Sequence, residues 1–138
     1  GIFVSADGHR YEGDYRDGKE HGRGVVVFAN GDRYEGEVRD GKFNGCGVMV
    51  AANGNKYDGD WKDGKRTGHG VFVFADGDRY EGEVRDGKEH GRGVYVWASG
   101  DKCEGDWREG TLVGTGEGLE NGQKKKCYVD GGKITFNQ

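Results

Sequence analysis

Tyr80-Glu81-Gly82-Glu83-Val84-Arg85-Asp86-Gly87-Lys88-Glu89-His90-Gly91-Arg92-Gly93-Val94 is one instance of a unit that recurs along this chain. Tyr11, Tyr34, Tyr57 and Tyr80 stand 23 residues apart, and Cys103 takes the next place in the series. Glycines keep the same step at Gly13, Gly36, Gly59, Gly82 and Gly105, at Gly18, Gly41, Gly64, Gly87 and Gly110, and at Gly24, Gly47, Gly70, Gly93 and Gly116. A fixed period of roughly 20–50 residues marks a repeat architecture, in which each unit is too small to bury its own apolar face and leans on its neighbours.

Working outward from that unit divides the chain. Residues 1–10 match the second half of a repeat, as comparison with Gly24 to Arg33 shows, and full repeats follow at 11–33, 34–56, 57–79 and 80–102. A fifth, at 103–126, is degenerate: Thr111-Leu112-Val113 breaks the usual turn sequence and Glu117-Gly118-Leu119-Glu120 replaces the apolar strand. Residues 127–138 read as a capping hairpin around Asp130-Gly131-Gly132-Lys133. Because Gly1 aligns with Gly24, we expect this to be the C-terminal part of a longer array.

Each unit carries two strand signals and two turn signals. Arg10 to Tyr15 alternates polar residues with ring or glycine, Asp17-Gly18 turns, Gly24 to Phe28 is apolar and β-branched, and Asn30-Gly31 turns again. With 30 glycines in 138 residues, helix is disfavoured, since each interior glycine costs about 1 kcal/mol. The expectation is an all-β fold: an elongated, single-layer antiparallel meander of repeated hairpins. Alternation places Arg10, Glu12, Asp14 and Arg16 on one face and Tyr11, Gly13 and Tyr15 on the other, in every repeat. The register of the second strands (Val26, Phe28, Met49, Phe72, Phe74, Tyr95, Trp97) stays open. A two-residue Asn-Gly turn and a five-residue loop would put Phe28 on opposite faces.

Composition narrows the function classes. Hydrophobic residues make up only 32% of the chain, too few for a thick core, yet its six Phe, three Trp and seven Tyr mostly fall at repeating positions, which argues for order. The net charge is −4, with acids and bases interleaved, so no basic footprint for nucleic acid is present. The three cysteines, Cys46, Cys103 and Cys127, match neither a disulfide framework nor a Cys-x-x-Cys zinc spacing, so a reducing compartment is the simplest reading. Cys46 and His69 hold the same repeat position and invite a zinc reading, but two strand spacings, about 9.6 Å, separate them, which is long for two ligands of one ion; Cys103 and Cys127 are likewise about one repeat apart, so a zinc shared by them would join two chains. No apolar run reaches the roughly 20 residues of a membrane-spanning helix.

Paired carboxylates such as Glu12 with Asp14 or Glu81 with Glu83 are bracketed by bases on the same face and recur in each unit, which makes them a solvated charge ladder rather than a catalytic pair. His21 and His90 occupy equivalent glycine-rich turns and read as surface side chains. Lys124-Lys125-Lys126 falls short of the four to eight bases that recognise acidic lipid and reads as a polar turn before the last hairpin. The Gly-x-Gly elements open no helix and are not phosphate loops. No catalytic residue and no cofactor is expected.

The recurring pattern Tyr-x-Gly-x-(Trp or Val)-x-x-Gly-Lys-x-x-Gly-x-Gly resembles the MORN repeat, named for membrane occupation and recognition nexus. Val38 and Val84 stand where that family prefers tryptophan, and Cys103 replaces the leading tyrosine. The resemblance implies a twisted all-β array and non-enzymatic roles in scaffolding, dimerisation, or contact with phospholipid or a protein partner. The chain is similar to the cytoskeletal scaffold proteins of apicomplexan and kinetoplastid parasites, which implies a cytoplasmic, cytoskeleton-associated protein. Tyr11, Tyr15, Tyr34, Tyr57, Trp61, Phe74, Tyr80, Trp97 and Trp107 are the expected lining of a partner groove. Cys103, Leu112, Leu119, Tyr128, Ile134 and Phe136 are the expected edge of a homodimer. The alternatives carried forward are a phosphoinositide-binding module and a regulatory arm of a larger enzyme.

Overall fold

The computed structural model describes residues 1–137, with strands β1 (Ile2–Val4), β2 (Arg10–Arg16), β3 (Lys19–Val27), β4 (Arg33–Arg39), β5 (Lys42–Val50), β6 (Lys56–Lys62), β7 (Lys65–Val73), β8 (Arg79–Arg85), β9 (Lys88–Val96), β10 (Lys102–Arg108), β11 (Thr111–Glu120), β12 (Gln123–Asp130) and β13 (Lys133–Phe136). Among the described residues these 13 strands form one open antiparallel sheet in strict sequence order. At about 4.8 Å per strand the ribbon runs about 60 Å across its strands. Its accessible surface is 8428 Å², against about 7,100 Å² for a compact chain of this mass. A single layer accounts for the excess. Gln138, the last residue of the expected capping hairpin, lies outside the described residues.

Two turn types alternate along the ribbon. Asp17 and Gly18 both take positive φ, 52° and 78°, the mirror-image two-residue turn that matches strand twist, and Asp40, Asp63, Asp86 and Glu109 repeat it. The other connection is a five-residue loop, closed by Phe28 N–H donating to the Asp32 carbonyl at 2.8 Å. This resolves the open register: Val26 opposes Tyr34 across the sheet, so second-strand rings share the face of the tyrosines. Side chains also tie neighbouring loops together. The Ala52, Ala75 and Ala98 amides donate to Asp32, Asn55 and Asp78 at 2.7, 2.8 and 3.0 Å, each reaching back 20 residues.

Within each hairpin the pairing slips. Gly13 opposes Gly24 and Tyr15 opposes Glu20, so Asp14 faces three residues of β3. The excess amide is satisfied by the acid itself: Asp14, Glu37, Asp60 and Glu83 accept the N–H of Arg23, Cys46, His69 and Arg92, at 3.3, 2.6, 3.0 and 2.5 Å. One acid of each expected charge ladder is therefore a backbone acceptor as well as a solvated charge.

The slip brings two glycines face to face under a ring. A Cβ on Gly36 would lie 2.5 Å from Gly47 Cα, and one on Gly47 would lie 2.3 Å from the Tyr34 hydroxyl oxygen. The Tyr34 ring crosses both, and its hydroxyl donates to the Glu37 carbonyl at 2.6 Å. Tyr11, Tyr57 and Tyr80 repeat the contact with the carbonyls of Asp14, Asp60 and Glu83.

The C-terminal segment departs from the sequence reading in three ways. Thr111 to Glu120 remains a full strand, paired on both sides, because ladder bonds need no apolar side chains on the solvent face. Lys124 to Lys126 lies inside β12, and the preceding turn is Asn121-Gly122. Cys103 and Cys127 form a disulfide within the chain, which overturns both the reading of three reduced cysteines and the interchain zinc. A flat sheet would hold β10 and β12 about 9.6 Å apart, but the Cα atoms are 6.1 Å apart. The sheet folds sharply across Gly116, whose added Cβ would meet Cys127 Sγ at 3.0 Å. The disulfide and Leu112 cover the glycines where earlier repeats use tyrosine.

Two outcomes are expected. Gly47→Ala forces the Tyr34 ring off its seat and lowers stability by about 1–3 kcal/mol, and Tyr34→Phe loses about 1 kcal/mol through the unpaired carbonyl; urea unfolding followed by tryptophan fluorescence measures both. Replacing Cys103 and Cys127 by alanine reopens a 24-residue span, worth about 3–4 kcal/mol. Hydrogen exchange of β12 and β13 should then accelerate while the central repeats stay protected.

Candidate functional site

The tyrosines that the sequence nominates as groove lining form its floor. Tyr11, Tyr34, Tyr57 and Tyr80 are only 0–3% exposed, and Trp61 and Trp107 are buried as well. The indoles lock successive repeats: Trp61 Nε1 donates to the Gly47 carbonyl at 3.1 Å and Trp107 Nε1 to that of Gly93 at 3.0 Å. Where Val38 replaces tryptophan, Phe43 stacks on Tyr34 with ring centroids 3.7 Å apart. Of the nominated residues, Tyr15, Phe74 and Trp97 remain accessible. Phe28, Phe43, Met49 and Tyr95 join them as half-buried lining that sequence reasoning missed as a site, together with Ile134 and Phe136, which it places at a dimer edge.

The expected dimer-edge residues are dispersed. Cys103 and Leu112 are interior. Leu119, opposite Lys102, and Tyr128, opposite Thr115, lie on the charge-bearing face. Ile134 and Phe136 lie on the ring face, where Phe136 packs 5.4 Å from Trp97. These residues form no single surface.

Two adjoining hollows that share Glu89 open on the ring face, beside a third of about 430 Å³ bounded by Trp97, Ile134 and Phe136. The larger of the two, about 410 Å³, includes Glu89, Tyr95, Trp97, Trp107, Leu112 and Ile134 in its walls. The smaller, about 240 Å³, includes Met49, Tyr57, Arg66, Phe72, Phe74 and Glu89. Glu89 belongs to both. It occupies a repeat position that changes character along the array, from Glu20 through Phe43, Arg66 and Glu89 to Leu112. Variation at one fixed place among constant neighbours was a signal present in the sequence.

Burial pushes Tyr34 and Tyr57 up to about 12 and raises Tyr11, Tyr80 and Tyr95 as well, so all stay protonated. Glu89 is raised from the ordinary carboxylate range, first by burial. On the opposite face, exposed pairs such as Arg10–Glu12 at 3.3 Å and Arg92–Glu104 at 3.1 Å balance one another and contribute little each. Two bases of the lysine triplet are neutralised: Lys125 pairs with Glu120 at 2.8 Å, and Lys126 pairs with Glu117. His9 and His90 accept backbone amides from Ala29 and Glu109 and serve as joints between repeats.

An open ribbon of nearest-neighbour repeats, with rings on one face and balanced charge on the other, defines a repeat protein that works through its surfaces. The MORN repeat model matches residues 11–33, 34–56, 57–79, 80–102 and 103–117, and the chain belongs to the MORN-repeat family. Such repeats are protein-interaction or membrane-binding modules, and the fold is typically non-enzymatic. No curated protein matches the chain. Among solved structures it is similar to the SAS-4 (dCPAP) TCP domain of Drosophila melanogaster, solved in complex with a proline-rich motif of Ana2 (dSTIL). That likeness has 16% identity and a TM-score of 0.41, covers 91% of this chain and 81% of that one, and is too weak to carry an argument.

The Glu89 environment sets a sign. A carboxyl whose folded pKa is raised opposes folding when ionised, and this penalty vanishes below the unfolded carboxylate range. Glu89→Gln should therefore raise the thermal midpoint at about pH 7 and leave it unchanged at about pH 3. A Glu89→Gln midpoint equal to that of the parent chain at both pH values would contradict the half-buried placement of Glu89.

Proposed function

We propose that this chain is a non-enzymatic scaffold whose ring face docks protein partners. The observation that supports this is the row of half-buried rings on that face, Phe28, Phe43, Phe74, Tyr95 and Trp97, over which the described residues lay no second layer. Apolar surface left uncovered in contiguous rows is what a partner buries.

Within this reading the chain self-associates into a homodimer through its C-terminal repeats in a cytoskeleton-associated role, while the Cys103–Cys127 disulfide weighs against the expected reducing cytoplasm. Support comes from β13, the last strand among the described residues, whose outer edge has no partner strand there. Unpaired ladder groups favour strand addition or a second copy. The phospholipid reading draws less support, because lysines of the one basic run are held by Glu117 and Glu120.

Light scattering is expected to give a particle of twice the 15.1 kDa chain mass. A monomer at every concentration would remove the self-association claim. Flotation with phosphoinositide vesicles at physiological salt would remove the protein-docking claim in favour of the lipid one.

A further inference from the structure

We propose that the ring-face hollow between Glu89, Tyr95, Trp97 and Trp107 receives an alkylammonium group, that of a lysine or N-methylated lysine side chain carried by a partner protein. The inference rests on the docking role of the ring face and adds the chemistry of what is docked.

The chain contains its own comparison. In repeat 57–79, Arg66 places its guanidinium 5.3 Å from the centre of the Phe72 ring and 5.8 Å from that of Tyr57, so a cation supplied from within covers those rings. One repeat later the equivalent position holds Glu89, and the rings around it are Tyr95, Trp97 and Trp107. Among the described residues no cation lies over these three rings and no lysine or arginine forms an ion pair with Glu89. The second site thus has rings and a carboxylate where the first has rings and a cation.

Ring geometry suits that ligand. Tyr95 and Trp97 stand 4.8 Å apart at 56°, and Tyr95 and Trp107 stand 6.3 Å apart at 31°, so π faces meet the hollow from more than one direction. Two of their polar atoms are engaged: the Tyr95 hydroxyl donates to Asp78 at 3.1 Å and Trp107 Nε1 to the Gly93 carbonyl at 3.0 Å. Ring face, the Trp97 N–H and the Glu89 carboxylate are left for recognition. Rings attract a cation through their quadrupoles, and a partly desolvated carboxylate gains from a counter-charge that shares its site. A volume of about 410 Å³ falls within the range of small-ligand sites.

Two charges qualify the field. Lys133 lines the same hollow and its charge opposes an incoming cation, while Arg66 acts on Glu89 from the smaller hollow as the weakest of its influences. A protein source for the ammonium is favoured over a lipid one, because a chain of net charge −4 is repelled by an anionic membrane.

The test titrates the whole chain with three versions of one short basic peptide, following tryptophan fluorescence. The versions carry lysine, trimethyl-lysine, or the neutral carbon isostere of trimethyl-lysine at the central position. Both charged peptides should bind at least about fivefold tighter than the isostere. Glu89→Gln should lose that preference, Trp97→Ala should lose binding with its circular dichroism spectrum intact, and Lys133→Gln should bind more tightly. Equal affinity for the isostere, or an unchanged preference in Glu89→Gln, overturns the inference while leaving the ring face as a docking surface. Binding to phosphatidylcholine vesicles and to no peptide also overturns it, as does no binding at all; the docking reading then rests on the particle mass.

Discussion

The contact on which this structure depends is a tyrosine ring lying flat across two opposed glycines. No other residue pair permits it: a single methyl group at Gly47 would sit 2.3 Å from the Tyr34 hydroxyl oxygen. That contact does three things at once. It gives a one-layer sheet a dense core about one ring thick, it places the hydroxyl beside the Glu37 carbonyl exposed by the pairing slip, and it seals the slip itself. Because each ring touches only its own hairpin and the next, cohesion along the ribbon is local, as in other one-dimensional repeat arrays.

Local cohesion explains how the array absorbs substitutions. The places filled by Trp61 and Trp107 hold Val38 and Val84 in alternate repeats, and Phe43 restores the lost ring from the opposite strand at Val38. At the C-terminus the missing tyrosine is replaced by a different device: a disulfide and a leucine sit over Gly105 and Gly116, and the sheet folds to bring β10 and β12 together. The core continues where its usual residue does not.

Function follows from what this core consumes and what it leaves. The conserved-period rings are used up as floor, and their hydroxyls and indole N–H groups are spent on backbone carbonyls. The surface left open on the ring face is therefore built largely from the positions that differ between repeats, Arg66, Glu89, Tyr95 and Trp97 among them. Repetition supplies the frame, and departure from repetition supplies the chemistry.

Period, strand count per unit, the two faces of the first strands and the family were all legible in the residues themselves, because alternation and glycine spacing are local properties of a chain. Three matters were decided only in three dimensions. Whether a nominated ring lines a groove or floors it depends on what the next repeat lays over it. The register of Phe28 depended on a five-residue loop whose closing bond pairs Phe28 with Asp32. The Cys103–Cys127 bond depended on a sharp fold of the sheet at Gly116, since strand spacing in a flat sheet forbids it and only curvature brings the two sulfurs together.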